Sequence, residues 1–570
     1  MPAVSPVAFD IAAVPFSTRG AWLNLSHVTG LHRYAEDLHL VSHRTRLTPI
    51  LRLRPWDSGS PVTADVSATS ATLTWTGAAG TVEAVFDGPE HLRLRGSGLG
   101  LRLEAAAPEL TSFSGTYFFR DAATGDPTFT SYETGRRYRV TVVTGDHRVE
   151  GAEALGPAVR AVTVTDPGTG WEIVVEEFTT ARAATRTTTS FEDATVAAQE
   201  AFSGYLERIA GWRTEATPAA DLAAYVLWSA TVSPDGFLSR ETVLMSKHWM
   251  DKVWSWDHCF NALALADGEP DAALDQFLVP FDHQTAEGAL PDSVAHSEIL
   301  HNFVKPPIHG WALAQLLARR GPVEPVVLQH LRDRLAAWTE FWLEHRRRPG
   351  HELAHYQHGN DSGWDNSTSF DGVRLIETPD LAAFLVLQLD VLADLEEQLG
   401  APDAAERHRV RAGQMFDALG SIWDGDTFTP RTAADGEPVA TTSLLNLMPL
   451  VLGERLSPPM RAALVHRLRA YLTAWGAATE PPTSEHYRAD GYWRGPIWAP
   501  STVLLEDGLR RAGENDLADE ISASFRRLCE THGFAENFDA LSGEGLRDRA
   551  YTWTAAAYLI LARQAARPQS

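Results

Sequence analysis

The segment His358-Gly-Asn-Asp-Ser-Gly-Trp-Asp-Asn-Ser-Thr-Ser-Phe370 separates two long stretches of helical spacing, and the rest of the chain is organised around it. It carries two carboxylates four residues apart, Asp361 and Asp365, on either side of Trp364. Its Gly, Asn and Ser residues permit tight backbone paths, and no apolar periodicity runs through it. A solvated connection is one interpretation. Trp364 favours a functional loop, because a large ring beside two carboxylates suits the face of a sugar.

Length and charge indicate a protein of two domains without nucleic-acid or membrane partners. The chain has 570 residues, more than one core usually spans, and 44% of them are apolar. Its net charge of −25 disfavours nucleic acid and anionic membranes, which reward clustered Lys and Arg. Two cysteines, no long apolar run and no visible secretory signal predict a cytoplasmic protein without a disulfide framework.

Short runs of alternating apolar and polar residues dominate the first part of the chain. They extend from about residue 21 to residue 188, as in Leu101-Arg-Leu-Glu104, and Gly, Pro and Asp separate them. This pattern predicts an antiparallel β-sandwich domain over residues 1–190 that serves packing. A linker rich in Ala, Thr and Arg runs from Thr179 to Thr189, and residues 191–217 have the spacing of a linker helix.

The hydrophobic period becomes helical from about Pro218. About twelve segments space apolar residues three and four apart: 222–232, 259–266, 272–279, 308–317, 326–343, 381–399, 405–423, 444–452, 460–472, 497–509, 517–529 and 550–562. Short Gly or Pro turns join them in pairs, and long polar loops follow every second segment. This predicts a six-hairpin toroid, an (α/α)6 barrel, over residues 218–570. An open α-solenoid is the competing architecture, but no fixed repeat period supports it.

The first two long loops of this region carry aromatic and polar candidates. Trp254, Trp256 and Asp257 open a predicted helix, where Asp257 either caps the N-terminus or accepts hydroxyl protons from a sugar stacked on the rings. The loop from Gln284 to Pro307 offers Gln284 itself. The loop histidines lack the i, i+4 spacing of zinc ligands on one helix, so we predict no metal site and no cofactor.

Two later loops repeat the combination of acids and aromatics. In Tyr492-Trp-Arg-Gly-Pro-Ile-Trp498, Pro496 suits the first turn of a helix, and Arg494 is either a ligand of substrate or a surface ion-pair partner. The loop Phe534–Glu544 holds three acids and precedes two aromatics. These are Glu536, Asp539, Glu544, Tyr551 and Trp553.

Carboxyl groups and aromatic rings are what hydrolysis of a glycosidic bond requires. One protonated carboxyl group gives its proton to the leaving oxygen, and one carboxylate takes a proton from water. Tryptophans that exclude water from a carboxyl group raise its pKa and keep it protonated near neutral pH.

Several of these motifs resemble glycoside hydrolase family 63 and the related family 37. The Ser362-Gly-Trp-Asp365 core is similar to the general-acid loop of these families, and three more signatures follow the order of family 63: Val253-Trp-Ser-Trp-Asp257, Tyr492-Trp-Arg-Gly-Pro-Ile-Trp498 and Phe534-Ala-Glu-Asn-Phe-Asp539. The segment Glu377-Thr-Pro-Asp-Leu381, at the start of a predicted helix, also resembles a signature of family 63. The resemblance covers about residues 220 to 565. It implies an (α/α)6 barrel, no metal, inversion at the anomeric carbon, Asp365 as general acid and Glu536 as general base.

We therefore interpret the chain as an inverting exo-acting α-glycosidase, with an α-glucosidase on a small glucoside or oligosaccharide as the leading hypothesis. Inversion predicts about 6.5–9.5 Å between the two carboxyl groups, and Asp361 is the second candidate acid. The predicted substrate-binding residues are Trp254, Trp256, Asp257, Gln284, Asp361, Trp364, Asn366, Tyr492, Trp493, Arg494, Gly495, Trp498 and Trp553.

Three alternatives share this barrel. The first is a mannosylglycerate or glucosylglycerate hydrolase, since relatives of these families act on such small glycosides. The second is a trehalase-like hydrolase, although Asp361 and Asn366-Ser-Thr368 depart from the trehalase pattern around the acid loop. The third is a carbohydrate-binding protein without catalysis, which the presence of both candidate acids disfavours.

Overall fold

The structure, a computed structural model, describes residues 6–183 and 189–566. The chain forms two compact units. The first comprises Met1–Gly211, Ala224–Lys252 and Ala295–Ser297, and the second comprises Trp212–Ala223, Val253–Val294 and Glu298–Ser570. The predicted domain limits at residues 190 and 218 stay a prediction. The predicted linker from Thr179 to Thr189 lies partly outside the described residues.

The first unit contains two antiparallel sheets. Its strands are β1 (Ala8–Phe9), β2 (Leu23–Gly30), β3 (Arg33–Ser42), β4 (Thr48–Asp57), β5 (Ser60–Pro61), β6 (Asp65–Thr69), β7 (Leu73–Gly77), β8 (Gly80–Phe86), β9 (His91–Ser97), β10 (Gly100–Ala105), β11 (Thr116–Arg120), β12 (Pro127–Ser131), β13 (Arg137–Thr144), β14 (Asp146–Glu150), β15 (Ala161–Thr165) and β16 (Trp171–Phe178). One sheet has the order β1-β6-β7-β8-β9-β16-β13-β12-β11. The other has the order β14-β15-β10-β4-β3-β2, and β5 pairs with β4.

Side chains from both sheets share one hydrophobic core. Leu40 and Leu103 come from the smaller sheet, and Leu94, Phe129 and Val175 come from the larger one, all essentially without solvent exposure. Alternation along each strand sends these residues to one face. The predicted antiparallel β domain at the N-terminal end of the chain is confirmed.

Helices account for most of the remaining structure. They are α1 (Phe191–Ala210), α2 (Ala220–Ala230), α3 (Asp257–Leu265), α4 (Pro270–Leu278), α5 (His309–Arg320), α6 (Pro325–Glu340), α7 (Pro379–Gln398), α8 (Pro402–Gly420), α9 (Pro458–Leu468), α10 (Ala499–Arg511), α11 (Asn515–His532) and α12 (Thr552–Ala566), with a 3₁₀ segment at Leu444–Arg455. Short antiparallel pairs lie in the connecting loops: Thr231–Val232 with Thr242–Val243, Val253–Trp254 with Ser293–Val294 and Ile299–Leu300, Ile376–Glu377 with Arg431–Thr432, and Asn537–Phe538 with Gly545–Leu546.

Six helical segments of the second unit close into an inner ring. In order of contact they are α3, α5, α7, the 3₁₀ segment, α10 and α12, and α12 returns to α3. The other helices pack outside this ring: α4 against α3 and α5, α6 and α8 against α7, α9 against the 3₁₀ segment, and α11 against α10 and α12. A closed ring of helical hairpins confirms the (α/α)6 barrel and excludes an open solenoid for this unit.

Three local predictions need correction. The segment predicted as a helix at 444–452 is 3₁₀, and its regular hydrogen bonding is interrupted by Pro449, which lacks an N–H, and by a kink at Gly453 with a φ of +58°. Pro496 is not in the first turn of α10, which begins at Ala499 and has Pro500 in its first turn. Asp257 is the first residue of α3 and makes no N-cap bond.

Candidate active site

The acid loop, residues 358–370, contains two 3₁₀ turns, Gly359–Ser362 and Thr368–Phe370. Gly363 follows the first turn with a φ of +73°, where residues with a Cβ atom are strained. A Cβ atom at Gly363 would also lie 2.6 Å from the ring of Trp256. The close packing of this glycine fixes the path of the loop, and the two aspartates meet different surroundings.

Asp361 is anchored inside the protein. Its side chain is buried and forms an ion pair with Arg346, whose Nη1 lies 2.7 Å from Oδ2. The backbone N–H groups of Val304 and Gln357 also donate to its two oxygens, at 3.1 and 2.9 Å. Three donors therefore hold this carboxyl group in place. These contacts argue against both predicted roles of Asp361, as second candidate acid and as substrate ligand.

Asp365 has a different environment. Its side chain is 29% exposed, so one part of the carboxyl group is open to solvent. Its Oδ1 atom is buried without a hydrogen-bond donor among the described residues, and the Lys305 ammonium lies 3.9 Å away. Burial raises the pKa of Asp365. The positive charge of Lys305 lowers this pKa in part, and the negative charge of Asp292 raises it further. A raised pKa and an open face are the properties that a proton donor needs.

Glu536 is the second buried carboxyl group. Burial, together with the carboxyl groups of Asp548 and Asp365, raises the pKa of Glu536 to about 8. The Arg547 guanidinium and a hydrogen bond from the Tyr492 hydroxyl favour the ionised form and act in the opposite direction. Because Asp365 contributes to the raised pKa of Glu536, the fold brings the two predicted catalytic residues near each other.

Asp257 is a third buried acid, 4% exposed, at the start of α3. Its Oδ2 atom has no hydrogen-bond partner within the described ranges. Burial raises the pKa of Asp257 to about 8. The carboxyl groups of Asp365 and Asp292 also raise this pKa, and the Lys305 ammonium lowers it. The role of Asp257 as a ligand of the sugar stays a prediction.

The predicted tryptophans form a packed cluster. Trp364 lies 4.6 Å from Trp493 between ring centroids, and Trp493 stacks on Trp498 at 4.1 Å and 4°. Trp553 contacts both Trp498 and Trp256 edge to face. All five rings are at most 3% exposed. The rings pack on one another and on neighbouring aromatic residues, and contact with a sugar stays a prediction.

Asn366 ties the acid loop to the loop of Tyr492 to Trp498. Its amide donates to the carbonyl of Gly491 at 3.0 Å and accepts from the N–H of Trp493 at 2.9 Å. Arg494 donates to the carbonyl of Asn366 at 2.7 Å and forms an ion pair with Asp371. Arg494 is therefore an ion-pair partner, as one of its two predicted roles requires. Gly495 follows it in the same loop.

Two predicted ligands are engaged by backbone groups. The amide of Gln284 donates to the carbonyls of Gly288 and Arg334, at 2.9 and 3.0 Å. These bonds shape its own loop and leave that amide no free donor role, so we do not include Gln284 in the proposed site. Trp254 lies in a short strand, paired with Ser293, and is partly exposed.

Four charged residues near the acids were not predicted as site residues. Lys305 and Asp292 lie beside Asp365, and Arg547 and Asp548 lie beside Glu536. Lys305 had a weak signal, a single basic residue in a polar loop before Pro-Pro. Asp292 had a comparable signal, as an acid in the same polar loop from Gln284 to Pro307. Arg547 and Asp548 had none, because their role depends on which loops meet. Within residues 6–183 and 189–566, no group of three or more His, Cys, Asp or Glu side chains is placed to hold a metal ion.

Buried carboxyl groups on the loops of a closed ring of helical hairpins are the groups that glycoside hydrolysis requires. Residues 250–554 match the family described as the mannosylglycerate hydrolase MGH1-like glycoside hydrolase domain. The match covers more than half of the chain, and the protein belongs to this family. The predicted relationship to glycoside hydrolase family 63 is confirmed.

Individual relatives agree with this assignment. A mannosylglycerate hydrolase of Rubrobacter radiotolerans is 26% identical over 398 residues, 54% of this chain and 89% of that protein. A glucosylglycerate hydrolase of Mycolicibacterium hassiacum is 22% identical over 456 residues, 60% of this chain and 97% of that protein. The family 63 mannosylglycerate hydrolase of Thermus thermophilus, solved with glucose, shares the fold with a TM-score of 0.55 at 22% identity, over 61% of this chain and all of that chain. A further structure of that enzyme contains Tris and D-glycerate.

Proposed function

We propose that this protein hydrolyses an α-glycoside of a small hydroxy acid, namely mannosylglycerate or glucosylglycerate. The family match over residues 250–554 carries this proposal. By their names, the relatives act on mannosylglycerate and glucosylglycerate. They support this alternative better than the leading sequence hypothesis of an α-glucosidase acting on small glucosides or oligosaccharides.

The proposed chemistry assigns one role to each of two carboxyl groups. Asp365 gives its proton to the glycosidic oxygen as the bond from that oxygen to the anomeric carbon breaks. Glu536 takes a proton from a water molecule whose oxygen bonds to the same carbon. The open face of Asp365 and its raised pKa support its role as acid. Glu536 acts as base in its ionised form, which Tyr492 and Arg547 favour, so kcat/KM should rise as the pH increases through the pKa of Glu536, about 8.

Asp257 is the proposed polar ligand of the sugar. Its buried Oδ2 atom has no partner in the described part of the chain, so a hydroxyl group would satisfy it. Trp254, which is partly exposed, is the proposed aromatic contact. The five packed tryptophans of the cluster support the loops and exclude water from the acids.

The first prediction concerns substrate. Sugar release is to be measured from mannosylglycerate, glucosylglycerate, kojibiose, nigerose, maltose, isomaltose and trehalose. We expect hydrolysis of one or both glycerate glycosides, and proton NMR of the first product should show the β-anomer, because a single displacement inverts the α-linkage. Glu536→Gln should lower kcat/KM by roughly 10²–10⁴-fold, the usual contribution of a general base.

Glu544→Gln is the matched control, because Glu544 is an exposed acid in the same loop. It should keep the wild-type rate. Release of glucose from a disaccharide without release from either glycerate glycoside would overturn the substrate proposal. An α-anomer as first product would overturn the inverting mechanism.

A further inference from the structure

Lys305 is a buried cation among three carboxyl groups. Its side chain is 7% exposed, and its ammonium lies 3.1 Å from Asp292 Oδ1 and 3.9 Å from Asp365 Oδ1. It also donates to the carbonyl of Asn360 at 2.9 Å, one turn before Asp365 in the acid loop. An ammonium with a backbone anchor and a carboxylate partner is fixed in position.

Three carboxyl groups keep the Lys305 side chain positively charged although it is buried. Burial disfavours the charge on Lys305, but the carboxyl groups of Asp365, Asp292 and Asp257 more than offset it, so the pKa of Lys305 is raised. Lys305 therefore stays protonated. Its charge in turn favours the ionised form of both Asp365 and Asp257.

Other titratable groups face Asp365 from neighbouring loops. His358 favours its ionised form, and Asp292 disfavours it. Glu536 and Tyr492 interact with it from the two loops beyond. Asp361 of the same loop is already paired with Arg346. Lys305 acts on Asp365 more strongly than any other charged side chain.

We propose that Lys305 is the positioning residue of the general acid: held by Asp292 and Asn360, it stabilises the carboxylate that Asp365 becomes when it gives up its proton. The proposal rests on the function proposed above, because it takes Asp365 as the acid. It assigns a task to a residue that does not transfer the proton. A fixed charge aimed at a group that becomes charged during the reaction costs no reorganisation when the charge develops.

Two substitutions should move the titration of Asp365 in opposite directions. Lys305→Met removes a positive charge, so Asp365 should lose its proton at higher pH, by roughly one pH unit. Asp292→Asn removes a negative charge, so Asp365 should lose its proton at lower pH. Lys305→Arg keeps the charge and should leave the titration near that of the wild type. The comparison of Lys305→Met with Lys305→Arg separates the two roles, because a purely structural role does not restrict the shift to the variant that lacks the charge.

The experiment reads Asp365 directly and needs no substrate. The folded full-length chain is labelled with a water-soluble carbodiimide and an amine at a series of pH values, and peptide mass mapping gives the labelled fraction of Asp365. The reagent reacts with the protonated carboxyl group, and the side chain is 29% exposed. Opposite shifts of the midpoint in the Lys305→Met and Asp292→Asn variants support the proposal. Equal midpoints, or shifts in the same direction, overturn it.

Kinetics supply the second measurement. With an accepted substrate, Lys305→Met should lower kcat by on the order of 10²-fold with a smaller effect on KM, and Lys305→Arg should restore much of the loss. If Lys305→Met does not fold, Lys305→Gln supplies the neutral variant, because its amide can still donate to the carbonyl of Asn360, and a wild-type midpoint in that variant overturns the proposal. No hydrolysis of glycerate glycosides, together with opposite labelling shifts, would refute the proposed substrate and leave the role of Lys305 intact.

Discussion

At the scale of single residues, the carboxyl groups of the site differ because their neighbours differ. Asp361 has an arginine and two N–H donors, whereas Asp365 has, among the described residues, an ammonium at 3.9 Å and an oxygen without a hydrogen-bond donor. Four positions in the sequence therefore separate an anchored carboxyl group from the proposed proton donor. Composition alone did not distinguish them; the family resemblance indicated Asp365.

The pH dependence follows from the neighbours of Glu536. Asp548 raises the pKa of Glu536, so Asp548→Asn should lower it, and the limb of the kcat/KM profile that reports Glu536 should move to lower pH. The asparagine keeps an oxygen that can accept from the N–H of Ala550, as Asp548 does at 3.0 Å. Measuring kcat/KM across the acidic and alkaline limbs of the profile checks the shift.

The control for this prediction is Asp516→Asn, which removes an exposed acid in the first turn of α11. Its profile should match the wild type. An Asp548→Asn profile identical to that of the control would show that Asp548 does not act on the base.

At the scale of elements, the turn at Gly363 packs the acid loop against Trp256, which lies in the loop before α3. We expect Gly363→Ala to reduce the free energy of unfolding by about 2–4 kcal/mol, through backbone strain and overpacking against Trp256. Gly372→Ala is a matched control, because its φ is +72° and no atom lies within 4 Å of the added Cβ. It should cost about 1 kcal/mol. Denaturant unfolding measures the free energy of unfolding of both variants. Equal losses would show that overpacking against Trp256 adds nothing to the backbone strain.

At the scale of the whole molecule, the inner ring depends on close contact between its helices. A Cβ atom at Gly310 of α5 would lie 2.5 Å from the Cα of Gln388 of α7, and the Gly310 N–H donates to the Gln388 side chain at 3.1 Å. Gly310→Ala should therefore destabilise the protein by about 1–3 kcal/mol.

Gly413→Ala provides the opposite expectation. Gly413 lies inside the outer helix α8 with open space around its Cα. Alanine there should stabilise by about 0.5–1 kcal/mol, because it loses less conformational freedom on folding. Thermal unfolding of the two variants should shift in opposite directions, and a Gly310→Ala variant as stable as the wild type would contradict close packing of the ring.

The sequence by itself determined what repeats along the chain. The change of period near Pro218, from two to 3.6, predicted the β domain and the helices, and residues as ordinary as Leu101 and Leu381 carried that signal because burial selects them at regular spacing. The long polar loops between hairpins indicated where the site lies. The family motifs within them named Asp365 and Glu536.

Only the tertiary structure decided the surroundings of each acid. Lys305 lies near Asp365, Asp548 and Arg547 lie beside Glu536, and the tryptophans pack on one another. These contacts form because loops that are far apart in the chain meet in the folded protein. No periodic pattern encodes such meetings, because a charge acts through distance and burial and not through spacing in the chain. The same reason explains why Gln284 and Asp361, plausible ligands by type, are committed to structural bonds.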